Sequence, residues 1–475
     1  MIELTKKIYL IIFALSLFIA PLFYSDSLNY YFFQDDFFEI NISKAANFQD
    51  YLSFFKFRDD IIAYRPVSLQ NYFFLSNKLF DLNPVGFRLI VFSVFLVNAY
   101  LVAKVIHKIS GNKNIGLLTS SFWVTSSIHF MTLSWIAAAY NLIGTFFWLL
   151  TSILFLNFVR TNRLITYHLA LITFLLTIGS FEFSITWPVI FGFYYFFVLK
   201  NSLARSLKLF LPFIAISIVY LVLRLLLIKI PQIIEYKTTL NFDSLKALFW
   251  YVLWSFNIPE EFKKQIATNL IVFNPKFSQE YWPLILKTFY GAILIITAGT
   301  ILPSVLIFRR KLNINIKFLV FFISWFLIAV SPVLLLPNHT FSMYLTLASI
   351  GIYSLLAYLI VLQNKPFLVA FVFILWVYTA YTTLSFYKVN SWIVEAQSFA
   401  KTFSSDIKKQ YPYLPKNSII YFPHQDHRHE QALLQHHALR TFYNDQSLLI
   451  YYNKEELLKA VTTKPNHPVY IFTPR

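Results

Sequence analysis

The chain has 475 residues, of which 57% are hydrophobic and 20% aromatic, while charged residues reach only 13%, about half of the roughly 25% found in soluble domains. Ordinary soluble, fibrous and disordered classes are excluded, which leaves a polytopic membrane protein. The net charge of +18 is explained first by a positive-inside bias and not by nucleic acid, and the lack of cysteine removes disulfides, thiolate metal sites and a cysteine nucleophile.

A membrane helix needs about 20 mostly apolar residues. Eleven stretches fit, at 8–24, 88–106, 115–131, 136–158, 164–180, 184–199, 209–228, 283–308, 318–336, 344–362 and 367–386. Lys6 and Lys7 precede the first run as in a signal peptide, but Pro21, Leu22, Phe23 and Tyr24 continue it without a small-residue cleavage site. It is expected to remain as an anchor. With the N-terminus inside, the cytoplasmic loops hold 15 basic residues, from Lys6 through Lys311 to Lys365, against one acid, Glu3. That asymmetry places the C-terminus outside the plasma membrane.

Three polar regions then share the outer face: a first loop at 25–87, a middle loop at 229–282 and a tail at 387–475. The middle loop contains an apolar stretch at 244–259, too short to span and expected to lie at the interface. The tail reads β-α-β-α-β, with strands at 416–422, 447–452 and 468–472 and helices at 430–444 and 454–461. The expected fold class is therefore an all-α polytopic membrane protein of about 11 helices over residues 1–386. A small extracytoplasmic α/β domain follows at 387–475.

The first loop is richest in chemistry. Asp35, Asp36 and Glu39 lie just beyond the first membrane helix. Adjacent carboxylates hinder each other's ionisation, so one can be tuned to take a proton from an acceptor hydroxyl. Capping a short helix is the plainer role for such a pair. Arg65 offers a planar fork of donors suited to phosphate, or equally to a nearby acid such as Asp59 or Asp60. Glu182 stands at the end of a span, where an acid marks function or pairs with an arginine such as Arg224. His129 reads as structural. His424, His427, His429, His436 and His437 lack the spacing of a zinc site, and no metal is expected. Asn41 and Asn338 head formal glycosylation sequons.

Four segments carry a family resemblance. Residues 64–103 open YRPVSLQNYFF, 128–150 read IHFMTLSWIAAAYNLIGTFFWLL, 179–190 read GSFEFSITWPVI, and 334–353 read LLLPNHTFSMYLTLASIGIY. Their order and spacing resemble the GT-C superfamily of polyprenyl-phosphate-sugar-dependent glycosyltransferases, nearest its O-mannosyltransferase and TMTC-like branch and that branch's bacterial relatives. Departures from that pattern are Met131 for a glutamate, Ala139 and Asn141 for an Arg and an Asp, and Thr340 to Met343 where a Glu-Arg pair is usual.

The resemblance implies that Asp35 is the catalytic base, with Asp36 beside it tuning its pKa or orienting the acceptor. It implies an inverting transfer from a lipid-phosphate-linked sugar, which is a substrate and not a cofactor. Arg65, Arg224 and His339 then become the groups for the lipid phosphate. The acceptor is a glycan, lipid or protein. An O-antigen ligase or polymerase would carry its large outer loop later in the chain. A transporter or flippase would place ionisable groups at the bilayer midplane and show inverted repeats.

Overall fold

A computed structural model of the chain describes residues 2–58, 61–229, 231–266, 273–310, 314–423 and 427–473. Asp59, Asp60, Lys311 and His424 lie outside the described residues. Helices dominate, and their ends carry the expected signals. Asn83 accepts a hydrogen bond from the Val85 amide ahead of Pro84, and the helix Pro84–Ser110 stops at Gly111 in a left-handed conformation (φ 69°). Asn112, Ser202, Asn315 and Ser391 cap later helices in the same way.

Eight helical stretches are long and apolar enough to cross a membrane among the described residues: Lys7–Asn29, Pro84–Ser110, Ile136–Thr161, Leu203–Leu227, Pro275–Arg310, Ile316–Leu334, Ser342–Val361 and Pro366–Gln410. Two shorter apolar helices, Leu164–Ile178 and Glu182–Val198, occupy the sixth and seventh predicted positions. The predicted span at 115–131 is a helix of only 12 residues, Lys113–Val124. It ends where Ser126 and Ser127 bind Asn257: the Asn257 side-chain oxygen accepts from the Ser127 amide at 2.8 Å and from both hydroxyls at 3.1 Å. A partner satisfies the freed backbone, so the helix can break inside an apolar bundle.

The bundle presents Leu10, Leu15, Phe18 and Leu22 on one exposed helix face and Leu207, Leu211, Leu225 and Leu226 on another. Such rows suit lipid, since soluble proteins rarely expose them. Inside, backbones approach closely. A Cβ on Gly351 would lie 2.6 Å from the Phe322 carbonyl oxygen and 2.8 Å from the Phe326 nitrogen. The middle-loop helix, Phe242–Ser255, buries Ala247, Trp250, Tyr251 and Trp254 against the helices Ile316–Leu334 and Leu345–Val361. Its opposite side exposes Phe242, Leu245 and Phe249, as an interfacial helix requires.

The C-terminal region forms a three-stranded parallel sheet of β1 (Ile419–Tyr421), β2 (Leu449–Tyr451) and β3 (Val469–Ile471), in the order β2-β1-β3. The single helix expected at 430–444 is two, His427–Leu433 and His437–Tyr443. Leu434 and Gln435 separate them, both at positive φ. This region rests on the short helix Asp35–Ile42, which carries the first-loop acids. The Gln34 amide donates to the Ala432 carbonyl at 2.8 Å. The Asn41 amide group donates to His437 O and Thr441 Oγ1 at 2.9 and 3.0 Å, and Phe37 meets Phe442 edge to face.

Candidate functional site

The helix Asp35–Ile42 points its first turn in two directions. Asp36 faces inward and is fully buried. Its Oδ1 accepts from the Ala137 amide at 2.6 Å and its Oδ2 from the Phe33 amide at 3.1 Å. Nearby, the buried guanidinium of Arg88 donates to the Leu133 and Ser134 carbonyls at 3.2 and 2.7 Å and to the Tyr30 carbonyl at 3.3 Å. These two charges occupy the ends of a break in the bundle. Arg88 takes the orphan carbonyls of the helix Phe130–Ser134, and Asp36 takes an orphan amide of the turn Ile136–Ala139. Asp36 therefore fixes the position of the helix and does not present a free carboxylate to an acceptor. Arg88 escaped the sequence reading because it lies inside a predicted span.

Asp35 and Glu39 share the other face, one helical turn apart. Asp35 is an exposed residue set within dense protein. Burial of its surroundings pushes its carboxyl up to about 6, with Arg65 pulling the other way. Glu39 is buried and faces Gln70, whose Nε2 donates at 3.4 Å. Burial, reinforced by Asp35, drives Glu39 up to about 8. The carboxyl that shares Asp35's environment is thus Glu39 more than Asp36, whose own rise to about 7 comes from burial against the pull of Arg88 and two amides.

Arg65 is delivered to the same place by the segment Pro66–Gln70. That segment is pinned to the end of a neighbouring helix, with Val67 N donating to Gly179 O at 3.0 Å and Ser68 Oγ to Ser180 O at 2.6 Å. The pairing sets Arg65 opposite Glu182. Nε donates to Oε2 at 2.7 Å and Nη2 to Oε1 at 2.6 Å, a two-pronged pair. The guanidinium also lies 3.4 Å from the centre of the Tyr140 ring. Arg224 reaches the same Glu182 oxygen at 3.8 Å. Two arginines therefore share one carboxylate, leaving a net positive charge, and three of the five N–H groups of Arg65 stay unused by Glu182.

His339 stands among Tyr236 and Phe341, each 4.9 Å away between ring centres. Burial, with Arg65 nearby, holds it below its ordinary value. Those surroundings favour its uncharged form. Asp35, Glu39, Arg65, Glu182, Arg224 and His339 all converge on this cluster, together with Tyr140, Tyr220, Tyr236 and Tyr344.

Beside Gln34, a recess of about 400 Å³ opens between the bundle and the C-terminal region. Trp135, Trp392 and Phe399 form its apolar walls, with Lys264, Glu395 and Arg428 among its polar groups. The remaining predicted positions serve structure. His129 meets the Trp123 carbonyl at 2.9 Å and packs on Trp123 and Phe95. His429 stacks on Phe399, and His436 accepts from the Ile450 amide at 3.0 Å. Among the described residues no three His, Asp or Glu side chains are arranged to hold a metal ion. The Asn41 sequon side chain bonds Phe37 within its own helix and is tied to the C-terminal region by three partners, His437, Thr441 and Gln446.

No protein-family model matches the chain, and no curated protein matches it. Among solved structures, 12 chains match. One similar structure is ArnT from Cupriavidus metallidurans bound to undecaprenyl phosphate, 12% identical with a TM-score of 0.48, covering 96% of this chain and 89% of that chain.

Proposed function

We propose that the protein is a GT-C-type glycosyltransferase of the plasma membrane. It transfers a sugar from a polyprenyl-phosphate carrier to an acceptor hydroxyl on the outer face, with inversion. The observation that carries this reading is the juxtaposition of an accessible, tuned carboxylate, Asp35, with the fixed cationic cluster of Arg65 and Arg224 on Glu182. The resemblance of four ordered sequence segments to that superfamily supports it. The N-terminus is cytoplasmic and the C-terminal region extracytoplasmic.

In this reaction the acceptor hydroxyl gives its proton to an Asp35 oxygen as it bonds to the anomeric carbon. The bond from that carbon to the phosphate oxygen breaks, and the lipid phosphate leaves with the electron pair. Negative charge grows on the leaving oxygen, so positive groups fixed in advance lower the barrier. Arg65 is oriented for this by Glu182 and Tyr140, and Arg224 supplies the second charge. The recess beside Gln34 admits the acceptor, its tryptophan walls suiting the apolar faces of sugar rings.

The test is transfer from a purified lipid-linked sugar by the protein in liposomes, comparing wild type with Asp35→Asn. Transfer that is abolished or nearly so in the variant supports the reading. A wild-type protein that moves the lipid-linked sugar between leaflets, leaving its bond to phosphate intact, overturns it.

A further inference from the structure

At the opposite end of the bundle lies a second cavity, of about 600 Å³, unconnected with the acidic cluster. It is lined by the ends of three helical stretches: Pro84–Ser110, Tyr140–Thr161 and the segment Tyr194–Val198. Lys104, Lys108 and Arg160 project there, with His107 at the rim. Lys108 feels both of the other charges. Its Nζ donates to Asn157 Oδ1 at 2.7 Å, and Lys104 lies 5.7 Å from the Tyr100 ring centre, but none of the three forms an ion pair among the described residues. No carboxylate lines the cavity among the described residues.

Helix ends provide some compensation. All three stretches finish here, and each C-terminal end carries about half a negative charge, so together they offset roughly half of three positive charges. The remainder favours an anion. The rest of the wall is apolar, from Leu156, Val159, Tyr194 and Leu199. Leu199 is also part of the exposed, lipid-facing surface, as is Tyr100 one turn from Lys104. A free ion would gain nothing from such walls, whereas a headgroup with its acyl chains outside would meet both surfaces.

We propose that this cavity binds the phosphate headgroup of an anionic inner-leaflet lipid, with Lys104, Lys108 and Arg160 on the phosphate and Leu199 and Tyr194 against the start of its chains. Three cations at a membrane surface suffice for a strong preference over a zwitterionic lipid. The site is independent of sugar transfer. Its placement on the inner leaflet follows from the concentration of basic residues on that face.

Native mass spectrometry of the purified full chain, equilibrated with phosphatidylglycerol or phosphatidylcholine, tests it. Wild type should retain phosphatidylglycerol selectively, and Lys104→Gln/Lys108→Gln/Arg160→Gln should bind it roughly 100-fold more weakly. Arg205→Gln/Lys208→Gln, on the same face but outside the cavity, should bind as wild type does. Should the triple variant fail to fold, Lys104→Gln alone and Leu199→Trp, which narrows the cavity at its apolar wall without altering charge, carry the same reading. Equal retention by wild type and the cavity variants overturns the site, and so does an equal loss in the Arg205/Lys208 control. Full displacement of the lipid by millimolar inorganic phosphate overturns the lipid as occupant in favour of a free anion.

Discussion

Asp35, Asp36 and Glu39 sit within five positions of one another, yet their surroundings divide the work. Asp35→Asn keeps shape and capping capacity but removes proton acceptance, so sugar transfer should fall by roughly two to four orders of magnitude with little change in folding. Activity assays at matched expression decide this. Asp36→Asn should behave in the reverse way. It turns one of the two oxygens that accept backbone N–H groups into an NH2 donor, leaving a buried amide without its acceptor, which should cost on the order of 2 kcal/mol of stability, read as a lower melting temperature in detergent. The pH profile separates Asp35 further: a base pushed up to about 6 must be deprotonated, so transfer should rise with pH through that value. Glu39 makes a prediction of opposite sense. Its folded-state value of about 8 lies above its ordinary 4.5, so its contribution to stability is full below 4.5 and lost as pH rises through 8. Glu39→Gln should flatten that alkaline loss in a thermal melt.

These acids were legible in the sequence as a cluster, but not their separate roles. Asp36 is set apart by the Ala137 amide, 101 residues away, within a stretch that reads as continuous apolar helix. Arg65 and Glu182 could each be singled out as unusual charges, but their mutual pairing spans 117 residues and no local pattern signals it. Arg65→Lys should test that pairing. A lysine keeps the charge but cannot grip both Glu182 oxygens, so donor affinity should drop even though the net charge of the cluster is unchanged.

At the scale of elements, helices form at all eleven places the hydropathy marked, but the one beginning at Lys113 stops short. Its break depends on Asn257, a middle-loop residue 130 residues distant, held at φ 64°. Window averages cannot register a partner that arrives from elsewhere. The close packing of helices Ile316–Leu334 and Leu345–Val361 around Gly351 is similarly non-local. Gly351→Val would press a side chain on the backbone of Phe322 and Phe326, which cannot rotate aside. A loss of about 1–3 kcal/mol or more is expected, visible as reduced monodisperse yield by size-exclusion chromatography. A comparable substitution at Gly192, where the nearest atoms lie 3.8 Å away, should be tolerated.

For the molecule as a whole, topology is the first matter, and the composition offers a clean measurement. The chain contains no cysteine, so single cysteines report without background. Lys408→Cys, exposed on the helix Trp392–Gln410, should react with an impermeant maleimide added to intact cells. Lys200→Cys, exposed on the basic face, should react only after the membrane is opened. Labelling of both from outside would overturn the orientation and with it the placement of Asp35.

The contacts between the acidic helix and the C-terminal region span 396 to 405 residues of sequence. During synthesis, Asp35 is therefore made long before Ala432, Thr441 and Gln446 exist to hold its helix. A nascent chain can insert its bundle while the acid helix still lacks that support. The seating of the helix Asp35–Ile42 is thus completed only after residues 432–446 have been made and have docked on it.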